Sequence, residues 1–182
     1  MPKLSASALR RRARELKVVL MDVDGVLTNG WLYHFVSAAG ELVELKGVHS
    51  HDSISLTWLV RAGLKTGLIS GRISKGMAER AKTLGMTYVY QHRLDKKNVF
   101  DEICKAEGIE ARQALFIGDD LPDLPVLRAA GIGVAVANAR PQVKAAASWV
   151  TKAKGGEGAV REVAEFVLEA RGLWKGVLRG FS

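Results

Sequence analysis

Cysteine is almost missing from this chain: one, Cys104, occurs in 182 residues. That excludes an internal disulfide and any CxxC metal or redox site. Cys104 falls in the helical-looking stretch 98–107, where a packed thiol is expected rather than a nucleophile. Long apolar runs are lacking too, none approaching the roughly 18 residues a membrane span needs. No signal-peptide pattern opens the chain, so a soluble, cytoplasmic protein is expected. No internal repeat, low-complexity tract or linker interrupts the sequence, and its length suits one domain over residues 1–182. What is present in ordinary supply is core material, with 48% apolar and 25% charged residues.

Charge is one-sided. Lys and Arg number 27 against 19 Asp and Glu, a net of +8. Part of the excess lies in Arg10-Arg11-Arg12-Ala13-Arg14, and more in a C-terminal tail with Arg171, Lys175 and Arg179. Such a balance favours anionic partners in general: phosphates, nucleic acid or acidic membrane. The arginine run has no interleaved aromatics and no reader fold behind it, so a solvated first helix is expected, with no membrane or nucleic-acid partner.

After residue 17 the pattern alternates. Strand-like apolar runs occupy 18–21, 64–69, 88–90, 114–117 and 133–136, with 149–150 a short sixth. Helical stretches fall near 54–61, 75–84, 97–107, 121–130, 142–147 and 160–170. Pro122 and Pro141 sit where a first helical turn tolerates them, and Gly63, Gly85, Gly108 and Gly131 sit where C-caps do. Near-continuous apolar strands separated by helices predict an α/β fold, a Rossmann-like, mostly parallel sheet flanked by helices. One segment, about 30–46, breaks the pattern: residues 31–35 and 41–45 flank Ser37-Ala38-Ala39-Gly40 and read as a β-hairpin. Trp31, Tyr33 and Phe35 fall on one face at period two, and two strands alone are marginal. That face needs cover from the parent domain or from the same hairpin of another subunit; an oligomer is expected.

The chemistry begins at Asp22-Val23-Asp24-Gly25, directly after the first strand. Carboxylates two residues apart at a strand end point to the same side. They suit a nucleophile, Asp22, and a general acid or base, Asp24. A calcium loop would place further oxygen ligands at alternate positions, where Val26 and Leu27 stand instead. Other strand ends offer the Ser70 hydroxyl, the Arg72 guanidinium, and Asp119, Asp120 and Asp123 in one short string; Lys96 opens a helix. Each is ordinary alone. Together, Asp22, Asp24 and Asp119 in one cleft repel one another, and a hard divalent cation such as Mg²⁺ relieves this. A hydroxyl, backbone N–H groups and a lysine then complement phosphoryl oxygens, so the charges point to phosphoryl transfer.

The strings DVDGVLT, LISGR, Lys96 and IGDDLPD resemble, in order, the four motifs of the haloacid dehalogenase superfamily. A hairpin in place of a cap domain, with AERAKTLG, YVYQ, VAVANARPQVKAAASWVT and GGEGAVREV, is similar to its capless phosphatases of 3-deoxy-D-manno-octulosonate (KDO) 8-phosphate, from about residue 16 to the tail. The resemblance implies Asp22 as nucleophile and Mg²⁺ ligand, and Asp24 as acid/base with its carbonyl on the metal. Ser70 and Lys96 would hold the phosphoryl group, Asp119 would be the second metal carboxylate, and Asp120 and Asp123 would orient ligands. It also implies a homotetramer built on the hairpins, a neighbour's tail (here about 172–182) over the site, and a role in lipopolysaccharide biosynthesis. Substrate contacts are expected from Arg72, Arg80, Lys96, His51 and Asp52. The family's Asn-x-Arg-Asp-Gly string reads His49-Ser50-His51-Asp52-Ser53 here, and Thr57 stands where an arginine is found. Two other readings stay open: a phosphatase for a nine-carbon sugar-acid 9-phosphate or another phosphomonoester, and a non-catalytic binding subunit.

Overall fold

The structure, a computed structural model, describes residues 3–181; Met1, Pro2 and Ser182 of the expected domain and tail lie outside the described residues. Ser5 caps α1 (Ala6–Glu15), its Oγ accepting the Ala8 N–H at 3.3 Å. β1 (Val18–Met21) follows, buried at every position because helices cover both faces of a central parallel strand. Next come the hairpin β2 (Tyr33–Val36) and β3 (Leu42–Leu45), then α2 (Ser50–Arg61), β4 (Lys65–Ile69), α3 (Lys75–Thr83), β5 (Tyr88–Tyr90) and α4 (Lys96–Glu107). The second half holds β6 (Ala114–Gly118), α5 (Leu124–Ala129), β7 (Ile132–Ala135), α6 (Pro141–Ala146), β8 (Trp149–Val150), α7 (Ala159–Ala170) and α8 (Trp174–Arg179).

The main sheet has six strands in the order β5-β4-β1-β6-β7-β8, every neighbouring pair parallel. From β1 the chain builds outward to β4 and β5, then returns to β6 on the other side. The C-terminal end of β1 is therefore a topological switch point, where such sheets open a crevice. Among the described residues no helix is long and apolar enough to cross a membrane.

Several expectations are corrected. The arginine run is exposed at Arg10, Arg11 and Arg14, as expected, but it is not free of the body: Arg12 donates to the Gly131 carbonyl, Arg14 to Ala170 O at 3.0 Å at the end of α7, and Arg10 lies over the Phe166 ring. These contacts tie α1 to the body. Gly131 is no left-handed cap, unlike Gly63, Gly85 and Gly108; a Cβ there would lie 2.0 Å from Arg112 O, so close packing demands glycine. The helix expected over 121–130 is split by Pro125 into a 3₁₀ turn, Leu121–Asp123, and α5. α2 starts earlier than expected, at Ser50, because the His49 ring accepts the His51 N–H at 3.2 Å and caps it.

The hairpin registers Tyr33 against Leu45 and Phe35 against Val43. Both of its faces stay open, with Tyr33 57% and Leu42 72% exposed. Cover by the parent domain, one of the two expected arrangements, is absent among the described residues. The tail is ordered rather than frayed over α8, whose Trp174 packs on Trp58 of α2 with ring centroids 5.5 Å apart.

Candidate active site

Asp22 leaves β1 in extended conformation, its N–H bonded to Ile117 O of β6 at 3.0 Å. The chain then winds one wide turn over Val23–Leu27, closed by the Thr28 N–H on Val23 O. Gly25 is the turn's necessary residue: its φ is +95°, and a Cβ would lie 2.2 Å from Asp119 Oδ2. Asp119 leaves β6 on one side of β1, and Ser70 leaves β4 on the other. Ser70 N–H bonds Tyr90 O at 2.9 Å, and its Oγ accepts the Arg72 N–H at 3.1 Å. Lys96 opens α4, capped by the Asp95 carboxylate on Asn98 N–H at 3.1 Å.

Lys96 is the electrostatic centre. Its Nζ lies 2.8 Å from Asp22 Oδ1 and 2.7 Å from Asp123 Oδ1, and the side chain is only 5% exposed. The other Asp123 oxygen accepts the N–H groups of Asp119 (2.9 Å) and Asp120 (3.2 Å), which fixes the loop after β6. Asp120 caps the next turn, accepting Leu121 N–H at 2.8 Å.

Carboxylate oxygens of Asp22, Asp119 and Asp123 lie within 4.8 Å of one another. Both Asp123 oxygens are spent on Lys96 and the backbone, whereas Asp119 Oδ1 is buried with no hydrogen-bond partner. A buried acceptor of this kind needs a cation or donor. Burial pushes Asp22 up to about 6, with Asp123 adding to the rise and Lys96 opposing it. Burial, then Asp22, Asp123 and Asp120, push Asp119 up to about 8. For Lys96, burial acts downward but the two carboxylates outweigh it, and its pKa is raised. Two acids that resist ionising side by side, in an all-oxygen donor set, fit a hard divalent cation.

The sequence reading missed what the hairpin contributes. Lys46, just past β3, places its Nζ 2.8 Å from each Asp24 carboxylate oxygen and 3.3 Å from Glu44 Oε1. Arg72 reaches Glu44 Oε2 at 2.8 Å and Asp24 Oδ2 at 3.8 Å. Burial raises the Glu44 pKa, but Arg72 and Lys46 more than reverse this and leave it lowered. The one sequence signal was a Glu-x-Lys pair where the hairpin's second strand re-enters the body.

Asp22, Asp24, Ser70, Arg72, Lys96, Asp119, Asp120 and Asp123 thus meet around one cavity of about 310 Å³, joined by Arg93 and Leu94, which sequence reasoning did not single out. Three expected substrate residues lie elsewhere. Asp52 is fully buried and accepts the N–H groups of Gly158 (3.1 Å) and Arg161 (2.8 Å) at the start of α7. Burial raises its pKa; it is a helix cap, and its assignment to substrate is corrected on that ground. His51, exposed in the first turn of α2, rests edge-on against His49 and does not line the cavity. Arg80 lines a separate cavity of about 340 Å³ beside Glu44, Lys46 and Ser74.

A parallel sheet with acid-bearing loops at its switch point, and a lysine between two of the acids, defines a hydrolase class. Residues 65–163 match the haloacid dehalogenase-like hydrolases, and the chain belongs to that family. Within it the chain is a phosphoric monoester hydrolase similar to KDO 8-phosphate phosphatases. The phosphatase KdsC of Yersinia pestis, of that specificity, is 38% identical over 161 residues, 88% of this chain and 84% of the relative. The crystal structure of 3-deoxy-D-manno-octulosonate 8-phosphate phosphatase from Moraxella catarrhalis, in complex with magnesium ion, phosphate ion and KDO, has a TM-score of 0.92 at 34% identity, covering 98% of this chain and 100% of that one. A probable yrbi family phosphatase from Pseudomonas syringae has a TM-score of 0.91 at 39% identity, covering 97% and 98%.

Proposed function

We propose that this protein hydrolyses 3-deoxy-D-manno-octulosonate 8-phosphate to KDO and phosphate, as one domain, with Mg²⁺ as cofactor. The observation that carries the phosphatase reading is Lys96 between Asp22 and Asp123, beside a buried Asp119 oxygen that lacks a partner. Mg²⁺ would be held by the carboxylates of Asp22 and Asp119 and the carbonyl of Asp24, where it supplies positive charge to the phosphoryl oxygens.

Asp22 attacks phosphorus with one carboxylate oxygen, and the P–O bond to the sugar breaks. Asp24 gives that sugar oxygen its proton, leaving an aspartyl-phosphate on Asp22. Lys96 and the Ser70 hydroxyl hold the phosphoryl oxygens through the transfer. Asp24 then takes a proton from water, the oxygen attacks phosphorus, and phosphate leaves Asp22 free. Lys46 keeps the Asp24 carboxylate oriented throughout.

The exposed aromatics of the hairpin support its pairing with the hairpins of other copies, as a homotetramer. The product's chemistry fits lipopolysaccharide biosynthesis in the cytoplasm. A second reading, a nine-carbon sugar-acid 9-phosphate or another phosphomonoester, is favoured by Thr57 standing where the resemblance places an arginine; its Oγ1 donates to Ile54 O of its own helix at 2.7 Å. Relative kcat/KM on the eight- and nine-carbon substrates and simple hexose phosphates separates the two: a clear preference for octulosonate 8-phosphate supports the first, and a better substrate elsewhere in the set replaces it. A non-catalytic subunit is disfavoured because it has no use for so costly a carboxylate cluster.

A further inference from the structure

Three cations reach the cavity wall: Arg72, Arg93 and Lys96. Lys96 is spent between Asp22 and Asp123. Arg72 is spent on Glu44 at 2.8 Å, with Asp24 at 3.8 Å. Among the described residues, no carboxylate pairs with the Arg93 guanidinium.

The root of Arg93 is nevertheless fixed. Its N–H bonds Ser70 O at 3.0 Å, and the His92 N–H reaches Arg72 O at 3.4 Å. Gln91 brackets Ser74, accepting its N–H at 3.1 Å and donating to its carbonyl at 2.8 Å. Between them His92 holds φ +56°, the one non-glycine residue at positive φ among those described. A backbone held in that region by bonds on both sides is a placed feature. The loop is bolted to the Ser70 loop, and Arg93 extends from a set position at the exposed rim.

We propose that Arg93 receives the second anionic group of the substrate, the carboxylate of a phosphorylated sugar acid, and so selects acidic over neutral sugar phosphates. The proposal rests on the phosphatase reading above. The phosphate belongs deep in the cavity, beside the buried Lys96 and Asp22. Arg93 is exposed, placed for the part of the substrate that projects outward. A carboxylate arriving there gains a planar, bidentate partner and breaks no existing ion pair. Pairing with Arg72 would first displace Glu44. Elsewhere the wall presents Asp24 and Asp120, which repel a carboxylate.

The test compares wild type, Arg93→Gln and Arg93→Lys, Mg²⁺-replete, on octulosonate 8-phosphate and on a hexose 6-phosphate. The ratio of kcat/KM, acidic over neutral, is expected to fall about fivefold or more in Arg93→Gln, carried by KM, and to recover in part in Arg93→Lys. Inhibition by free KDO, which has the carboxylate but no phosphate, should weaken by a similar factor. An equal fall on both substrates would assign Arg93 to the phosphate and overturn the proposal; so would an unchanged ratio in a variant whose melting temperature shows it folded. Wild-type silence on every phosphomonoester would overturn the phosphatase reading itself, and is told apart because it precedes any comparison of variants.

Discussion

Lys46 holds Asp24: the ammonium lies 2.8 Å from both oxygens of the carboxylate, although the two residues belong to different elements. The hairpin therefore does more than offer an apolar surface. It delivers a buried cation to Asp24, the residue proposed to donate and then accept a proton. Replacing Lys46 with Met removes the charge at similar volume but leaves the carboxylates of Asp24 and Glu44 without their shared cation. A loss of stability is expected as well, and turnover is compared at a temperature where the variant is shown to be folded. Turnover is expected to fall roughly tenfold or more, because acid–base catalysis depends on placement. Wild-type kcat in Lys46→Met would show that Asp24 is positioned without it.

Metal and pH are linked through the carboxylate cluster. Asp22 and Asp119 are raised from 3.8 to about 6 and about 8, so the folded, metal-free chain keeps protons that the unfolded chain releases. The stability these two groups contribute is full below pH 3.8 and is lost as pH rises through about 6 and then about 8. Mg²⁺ held by the ionised carboxylates, as proposed, would restore what is lost. The melting-temperature gain from Mg²⁺ over EDTA should accordingly be larger at a pH of about 8.5 than at about 5.5. A gain independent of pH would mean that the ion binds elsewhere.

Asp52→Ala separates fold from site. It removes the acceptor of two N–H groups at the start of α7 and is expected to cost about 1–2 kcal/mol. Denaturant unfolding should show that loss while KM stays near wild type. A raised KM with no change in midpoint would return Asp52 to the substrate.

The sequence carried the site's frame but not its walls. Asp22, Asp24, Ser70, Lys96 and Asp119 were legible because each sits at the end of an apolar strand or the start of a helix, where chain order alone brings them to one sheet edge. Lys46 and Arg93 were not, since each reaches the cavity through a loop whose path depends on tertiary contacts: the hairpin's return for one, a left-handed His92 for the other. Asp52 misled for the opposite reason. A buried acid near a motif reads as chemistry, yet its partners are backbone groups of residues 158 and 161, far along the chain. The ties of the arginine run to the body were not legible because its acceptors, Gly131 O and Ala170 O, are distant in sequence.

The proposed function depends above all on nucleophilic phosphoryl transfer to Asp22. The most direct test is phosphate release from octulosonate 8-phosphate by wild type and Asp22→Asn, each with Mg²⁺ and with EDTA. Turnover is expected for wild type with Mg²⁺ alone, and none for folded Asp22→Asn under either condition. Appreciable phosphate release by Asp22→Asn, or wild-type turnover that survives EDTA, would contradict it.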